Sequence, residues 1–205
     1  MKTKEQLKAL RESSKKRNFS QRLDMIVILK EFNLKKADYK LDEVFMLPKG
    51  PGKQTKVTIF ADNIPAIEGC KIVKKDEIEK LSQNKKELKN LIADTTFFLS
   101  EPPLMPVVGK FLGKFLAPIG KMPKPLAGDP KKMAETFKKG VRVEVKRDPV
   151  IRTVVGLESM SDDDLAENIE ALVSFLKVKL PKGKSNIGKG KLKFSMSKPI
   201  VLEVD

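Results

Sequence analysis

The chain has 205 residues, 40% of them apolar, which is enough for one large domain or two small ones. Lysine and arginine outnumber aspartate and glutamate 42 to 27, and the net charge of +15 calls for a polyanionic partner. With no histidine and a single cysteine, Cys70, imidazole acid–base chemistry, Ser-His and Cys-His nucleophiles, most zinc sites and a disulfide framework are excluded. Cys70 reads as a small buried hydrophobe in a reducing cytoplasm. One tyrosine and no tryptophan argue against extensive aromatic stacking on a single strand. No apolar run reaches the length of a spanning helix, and the N-terminus MKTKEQLKAL has no signal-peptide core, so no membrane partner is expected.

Residues 1–18 scatter Leu and Ala among charges and predict a marginal helix that needs a partner. It ends in the basic run Lys15-Lys16-Arg17. Ser20 as N-cap, with Phe19 before it as a hydrophobic staple, predicts a helix over residues 21–32. The continuous apolar run over residues 25–29 also fits a strand. Residues 42–48 read as a strand ended by Pro48, and residues 49–53 as a Gly/Pro loop with a domain boundary near 53. A buried strand follows at 56–61, then helices at 75–81 and 85–92 and a strand at 95–99.

Residues 109–125 hold Gly109, Gly113, Pro118, Gly120, Pro123 and Pro125. These forbid a long helix or a central strand, so the stretch reads as a shaped loop entered from a short apolar segment at 112–116. It is not a Walker phosphate loop, because Gly120-Lys121 is followed by Met122. Asp129 at N-cap and Pro130 at N1 open a helix that stops at Gly140. The alternation of strands and helices predicts an α/β unit with a three-layer or doubly wound sheet.

Residues 141–146 alternate as a strand, and Arg147-Asp148-Pro149 turns it into a second strand at 150–155. Ser161 caps a helix with Asp162, Asp163 and Asp164 in its first turn, where the helix dipole favours acids; this reading is preferred to a metal site. The helix buries Leu165, Ile169, Leu172, Val173 and Leu176 and stops before Pro181. Residues 181–191 read as a basic flexible loop. Residues 191–196 alternate, Leu192 and Phe194 on one face and Lys191, Lys193 and Ser195 on the other. A closing strand is expected at 200–204.

The order Gly113-x-x-Leu116-x-Pro118-x-Gly120-Lys121-Met122-Pro123-Lys124-Pro125 resembles the signature of the ribosomal protein L-one family, the family of the mobile lateral stalk of the large ribosomal subunit, in its archaeal or eukaryotic form. The family's Gly-Pro-Arg-Gly is Ala117-Pro118-Ile119-Gly120 here. Further matches are Val44-x-Met46-Leu47-Pro48-x-Gly50-x-Gly52-Lys53, Val155-Gly156, Leu165-Ala166-x-Asn168-Ile169 and Ser195-Met196-Ser197-Lys198-Pro199. The resemblance implies two domains. Residues 1–53 and 147–205 would form a split α+β domain I, two-layered, with a mostly antiparallel sheet that binds RNA. Residues 54–146 would form an inserted, Rossmann-like three-layer α/β domain II.

Carried over by resemblance, the RNA-binding residues are Arg17, Phe19, Ser20, Gln21, Arg22, Lys191, Lys193, Ser195, Met196, Ser197 and Lys198. Against this stand the readings of Phe19 as a helix staple and of Met196 as core. Departures from the family are Asn18 between Arg17 and Phe19, Ser197 in place of Gly, and Leu157 in place of a basic residue. The implied function is binding of large-subunit ribosomal RNA at the stalk base, help in releasing deacylated tRNA from the exit site, and repression through an mRNA that mimics the ribosomal site. The implied protein is cytoplasmic, monomeric off the ribosome and free of cofactors and metal. The competing readings are a stand-alone RNA-binding regulator and a nucleotide-dependent enzyme. The second is disfavoured, because the strand at 56–61 runs into Asp62-Asn63-Ile64-Pro65 and not into a phosphate cradle.

Overall fold

The computed structural model describes residues 2–32, 41–53, 55–145 and 148–202. In chain order they form α1 (Lys2–Ser13), β1 (Arg22–Leu29), β2 (Asp42–Met46), β3 (Val57–Phe60), β4 (Cys70–Val73), α2 (Lys75–Gln83), α3 (Lys85–Asp94) and β5 (Phe97–Ser100). Then come α4 (Met105–Ile119), β6 (Lys124–Pro125), α5 (Pro130–Lys139), β7 (Gly140–Glu144), β8 (Val150–Leu157), α6 (Asp162–Lys179), β9 (Ile187–Phe194) and β10 (Ile200–Leu202). The result is a mixed α/β protein with several sheets. It divides into two units, Met1–Lys53 with Lys139–Asp205, and Gln54–Lys138.

Alternation decides β1. Leu23, Met25, Val27 and Leu29 are buried, and the residues between them are not. Residues 22–29 are therefore a strand, and the helix expected over 21–32 is corrected. The β-branched run Ile26-Val27-Ile28 favours a pleated surface, and tertiary pairing on both edges outweighs the capping signal at Ser20. β1 pairs antiparallel with β8 on one side and β9 on the other, giving the order β10-β9-β1-β8. Helices α1 and α6 bury Leu7, Leu10, Leu165, Ile169, Leu172 and Leu176 in the same core as Leu23, Met25, Leu192 and Phe194. So α1, too polar to stand alone, has the partner it needs.

Ser161 caps α6 as expected, its hydroxyl accepting from Asp164 N at 3.1 Å. Asp163 pairs with Lys4, and that ammonium draws its carboxyl below the ordinary value. Asp162 binds Arg11 at 2.7 Å. Among the described residues no group of three His, Cys, Asp or Glu could hold a metal ion. Val173 is only half-buried, at the margin of the helix's apolar face.

β7 pairs with β2, from Asp42 opposite Glu144 to Met46 opposite Gly140, and Val143 and Val145 join the core of the first unit. The division therefore falls before β7, at residue 139, and not after 146. Lys146 and Arg147, where the expected strand ends and turns, lie outside the described residues, as do residues 203–205 of the closing strand. The stretch 181–191 is more ordered than a loop. A 3-10 turn spans Gly183–Asn186, and β9 begins at Ile187. Buried Asn186 organises it, accepting from Lys182 N at 2.7 Å and donating to Lys30 O at 2.9 Å.

The second unit has a four-stranded parallel sheet in the order β4-β3-β5-β6. β4 and β6 stand where the sequence predicts no strand, being only four and two residues long, and Cys70 at the start of β4 is only half-buried. The expected loop over residues 109–125 is corrected as well: α4 runs to Ile119. Val108, Leu112 and Leu116 recur on one buried face, Gly109 faces open space, and Pro118 falls in the last turn. The helix stops at Gly120, whose φ of 73° is left-handed. Gly120 N donates to Ala117 O and Lys121 N to Leu116 O, both at 3.0 Å, which closes the helix end.

Two predictions follow from the first unit. Asn168 is fully buried; its amide donates to Gly50 O at 3.0 Å and Val155 O at 2.9 Å, and its carbonyl accepts from Lys49 N at 3.0 Å. Asn168→Ala strips these backbone groups of a buried partner and should lower stability by about 2–4 kcal/mol in urea unfolding; a loss under about 1 kcal/mol would contradict this accounting. Replacing residues 54–138 by a short linker should leave a cooperatively melting protein. Replacing 54–146 also removes β7 and should broaden or abolish the melt followed by circular dichroism.

Candidate nucleic-acid interface

Gln21 ties three segments together. It is 2% exposed, and its backbone carbonyl accepts from Glu158 N at 2.8 Å. Its N–H donates to Glu158 Oε2 at 3.2 Å, and its side-chain Oε1 accepts from Met196 N at 3.0 Å. One residue on, Arg22 O accepts from Ser195 N at 3.1 Å, and Arg22 N donates to Ser195 Oγ at 3.3 Å. Residues 17–22 and 195–198 are thus brought side by side, although more than 170 positions separate them in the chain.

The turn after β9 is closed twice. Ser197 N donates to Phe194 O at 3.1 Å, and Phe194 N donates to Ser197 Oγ at 2.9 Å. Among the described residues Glu31 alone has positive φ without being glycine, so Ser197 needs no glycine-like backbone. Its hydroxyl supplies a closing bond that glycine lacks.

This arrangement leaves Phe19 55% and Met196 64% exposed. Phe19 is not a helix staple and Met196 is not core; β9 ends at Phe194, so the alternation no longer governs Met196. Arg17, Ser20, Arg22 and Lys198 are exposed, and Ser195 and Ser197 half-buried. Lys191 and Lys193 stand on β9 opposite Ile26 and Asp24. Burial raises the Asp24 carboxyl pKa, while Arg22 and Lys193 pull it back.

An open groove of about 390 Å³ lies at this edge, lined by Lys16, Arg17, Asn18, Phe19, Ser20, Glu158 and Ser159. The sequence reading missed Lys16, Glu158 and Ser159 as site residues. Glu158 reaches the groove because the loop after β8 is clamped by Arg11. Its guanidinium donates to Glu158 O at 2.7 Å, Met160 O at 2.8 Å and Asp162 Oδ1 at 2.7 Å. Gly156 allows the approach beneath: a Cβ there would lie 2.3 Å from Leu165 Cδ2 of α6. No local pattern signals this loop, apart from the Val155-Gly156 match just before it.

The signature residues Gly113, Leu116, Pro118, Gly120, Lys121, Met122 and Pro123 belong to the other unit. Leu116 and Pro123 are buried there, while Met122 is 44% exposed. Lys121 is not a solvated cation. Its Nζ donates to Ile92 O and Thr95 O, each at 2.6 Å, and so brackets the C-terminus of α3. Burial lowers its pKa from the ordinary lysine value.

Fold and surface together define a mixed α/β protein with a basic edge that exposes Phe19. The profile of the ribosomal protein L1p/L10e family matches residues 10–198. The chain is 37% identical over 204 residues to the large ribosomal subunit protein uL1 of Methanothermobacter thermautotrophicus, covering 96% of each chain. It is 37% identical over 206 residues to uL1 of Methanothermococcus thermolithotrophicus, covering 96% of this chain and 97% of that one. It is 35% identical over 190 residues to uL1 of Pyrococcus abyssi, covering 89% and 87%. The chain belongs to the ribosomal protein L1p/L10e family, in an archaeal-like form. That family is one of ribosomal proteins and not of enzymes, which removes the nucleotide-dependent enzyme. No helix of the described residues is long and apolar enough to cross a membrane.

The bracket at α3 is testable by itself. Lys121→Met keeps the stem but leaves two carbonyls without their donor. It should lower the urea midpoint by the equivalent of about 1–3 kcal/mol; an unchanged midpoint would mean that water replaces the ammonium at no cost.

Proposed function

We propose that the protein is a structural constituent of the large ribosomal subunit, working on the cytoplasmic ribosome, and that its split unit grips folded large-subunit ribosomal RNA at the base of the mobile lateral stalk. Residues 1–53 with 139–205 are the RNA-binding domain in this reading, and residues 54–138 an inserted Rossmann-like domain. By family resemblance, the stalk assists release of deacylated tRNA from the exit site, and the same surface represses translation when it binds an mRNA that mimics the ribosomal one. The protein acts as a monomer off the ribosome.

The observation that carries this reading is the joining of residues 17–22 to the turn 195–198 through Gln21 and Arg22, with Phe19 and Met196 left exposed on a basic edge. RNA offers what such an edge can recognise. Unstacked bases and sugars pack on exposed apolar side chains, and 2′-hydroxyls meet serine hydroxyls and backbone amides. Arg17, Arg22, Lys191, Lys193 and Lys198 neutralise phosphates and fix the register. Ser195 and Ser197 supply hydroxyls, and Ser20 a further exposed one. Gln21, being buried, serves by holding the two segments in place.

A salt-series titration against a ribosomal RNA fragment tests this, with thermal melts alongside. Phe19→Ala should lose about 1–3 kcal/mol of binding with an unchanged melt. Lys191→Ala and Lys193→Ala should each reduce the salt slope by about one. Lys121→Met and Lys124→Ala should leave affinity within about twofold, a change worth about 0.4 kcal/mol. A larger effect from the last two than from Phe19→Ala would move the interface to the other unit.

A further inference from the structure

Glu158 is an anomaly on a surface suited to phosphates. It sits in the groove with Lys16, Arg17 and Phe19, yet makes no ion pair among the described residues. Its Oε2 accepts only from Gln21 N, and its Oε1 has no hydrogen-bond partner among the described residues. Its main chain is fixed on both sides, N–H to Gln21 O and carbonyl to Arg11 Nη1. A carboxylate so placed repels the RNA backbone and weakens general binding. It is therefore suited to selecting a base.

We propose that the groove between Phe19 and Glu158 is a pocket for one unpaired guanine of the bound RNA. The proposal rests on the RNA-binding reading above and adds what that site distinguishes. An ionised carboxylate only accepts hydrogen bonds. Guanine presents two neighbouring donors, N1–H and the N2 amino group, on its Watson–Crick edge. Adenine and cytosine present a donor beside an acceptor, and uracil one donor between two carbonyls, so each sets a lone pair against the carboxylate. Single-stranded bases are read in this way, the face stacked on an aromatic ring and the edge hydrogen-bonded. Phe19 supplies the face, Glu158 the edge, and Lys16 and Arg17 meet the flanking phosphates.

The test uses the full-length protein and hairpin RNAs selected from a library with a randomised loop. Each loop guanine of a selected hairpin is replaced in turn by inosine, which lacks only the N2 amino group. One replacement should weaken wild-type binding by about 5- to 20-fold, and binding by Glu158→Gln by less than about twofold. Glu158→Gln should also bind polyuridylate at least as tightly as wild type, since a repulsive charge is gone. Selected RNAs without an inosine-sensitive guanine, or an equal inosine effect in wild type and Glu158→Gln, would overturn the guanine pocket alone. If Phe19→Ala and Lys191→Ala bind the selected RNA like wild type, the interface itself is misplaced and the pocket falls with it.

Discussion

The first unit depends on one constraint: β1 has no neighbour from its own end of the chain. Both strands that pair with it, β8 and β9, come from the last third of the sequence. The first fifty residues therefore cannot complete a sheet alone, and the candidate interface exists only once the chain ends have met. The seam is also where the site lies. Gln21 and Arg22 stand at the start of β1 and Ser195 follows β9, so the hydrogen bonds that finish the sheet also join Gln21 and Arg22 to Ser195 and Met196. The candidate site is therefore held by the same pairings that complete the sheet. A strand pairing that spans so much chain carries a closure cost that local helices do not.

Arg11 extends this seam to α1. Two carbonyls on the loop after β8 and the Asp162 carboxylate at the start of α6 accept from one guanidinium, which also lies 5.9 Å from the centre of the Phe194 ring. The planar fork suits several acceptors held at fixed angles, which a lysine could not satisfy together. A helix whose own propensity is marginal thereby becomes a brace for the groove.

Legibility in the sequence followed the range of the cause. Local causes were readable: the Ser161 cap, the Asp129–Pro130 helix start, the period-two pattern of residues 141–145, and helices α2 and α3. Residues 21–32 misled because a real capping signal at Ser20 competes with strand pairing to partners more than a hundred residues away. Residues 109–119 misled because glycine and proline were counted without asking which side they face. Gly109 looks onto open space, and Pro118 occupies a terminal turn. Phe19 and the turn 195–198 entered through resemblance. Their neighbour Glu158 was invisible, because only tertiary pairing brings it to the groove.

The departures from the family pattern have separate physical readings. Ser197 replaces a glycine where the backbone does not require one and closes its own turn. Leu157 replaces a cation, and its side chain packs over Gly52, where an added Cβ would meet it at 2.9 Å. The exchange removes a charge from the exit of β8 and sets an apolar side chain against Gly52. One residue later stands Glu158, which adds a negative charge to the same edge. Lys16 and Arg17 bring two positive charges to the groove, and Glu158 offsets one of them. In the reading proposed above, general attraction to phosphate falls to Arg17, Lys191, Lys193 and Lys198, while Phe19 and Glu158 in the groove discriminate by shape and hydrogen-bond direction. On that reading, a surface divided in this way holds any RNA weakly and one folded RNA well.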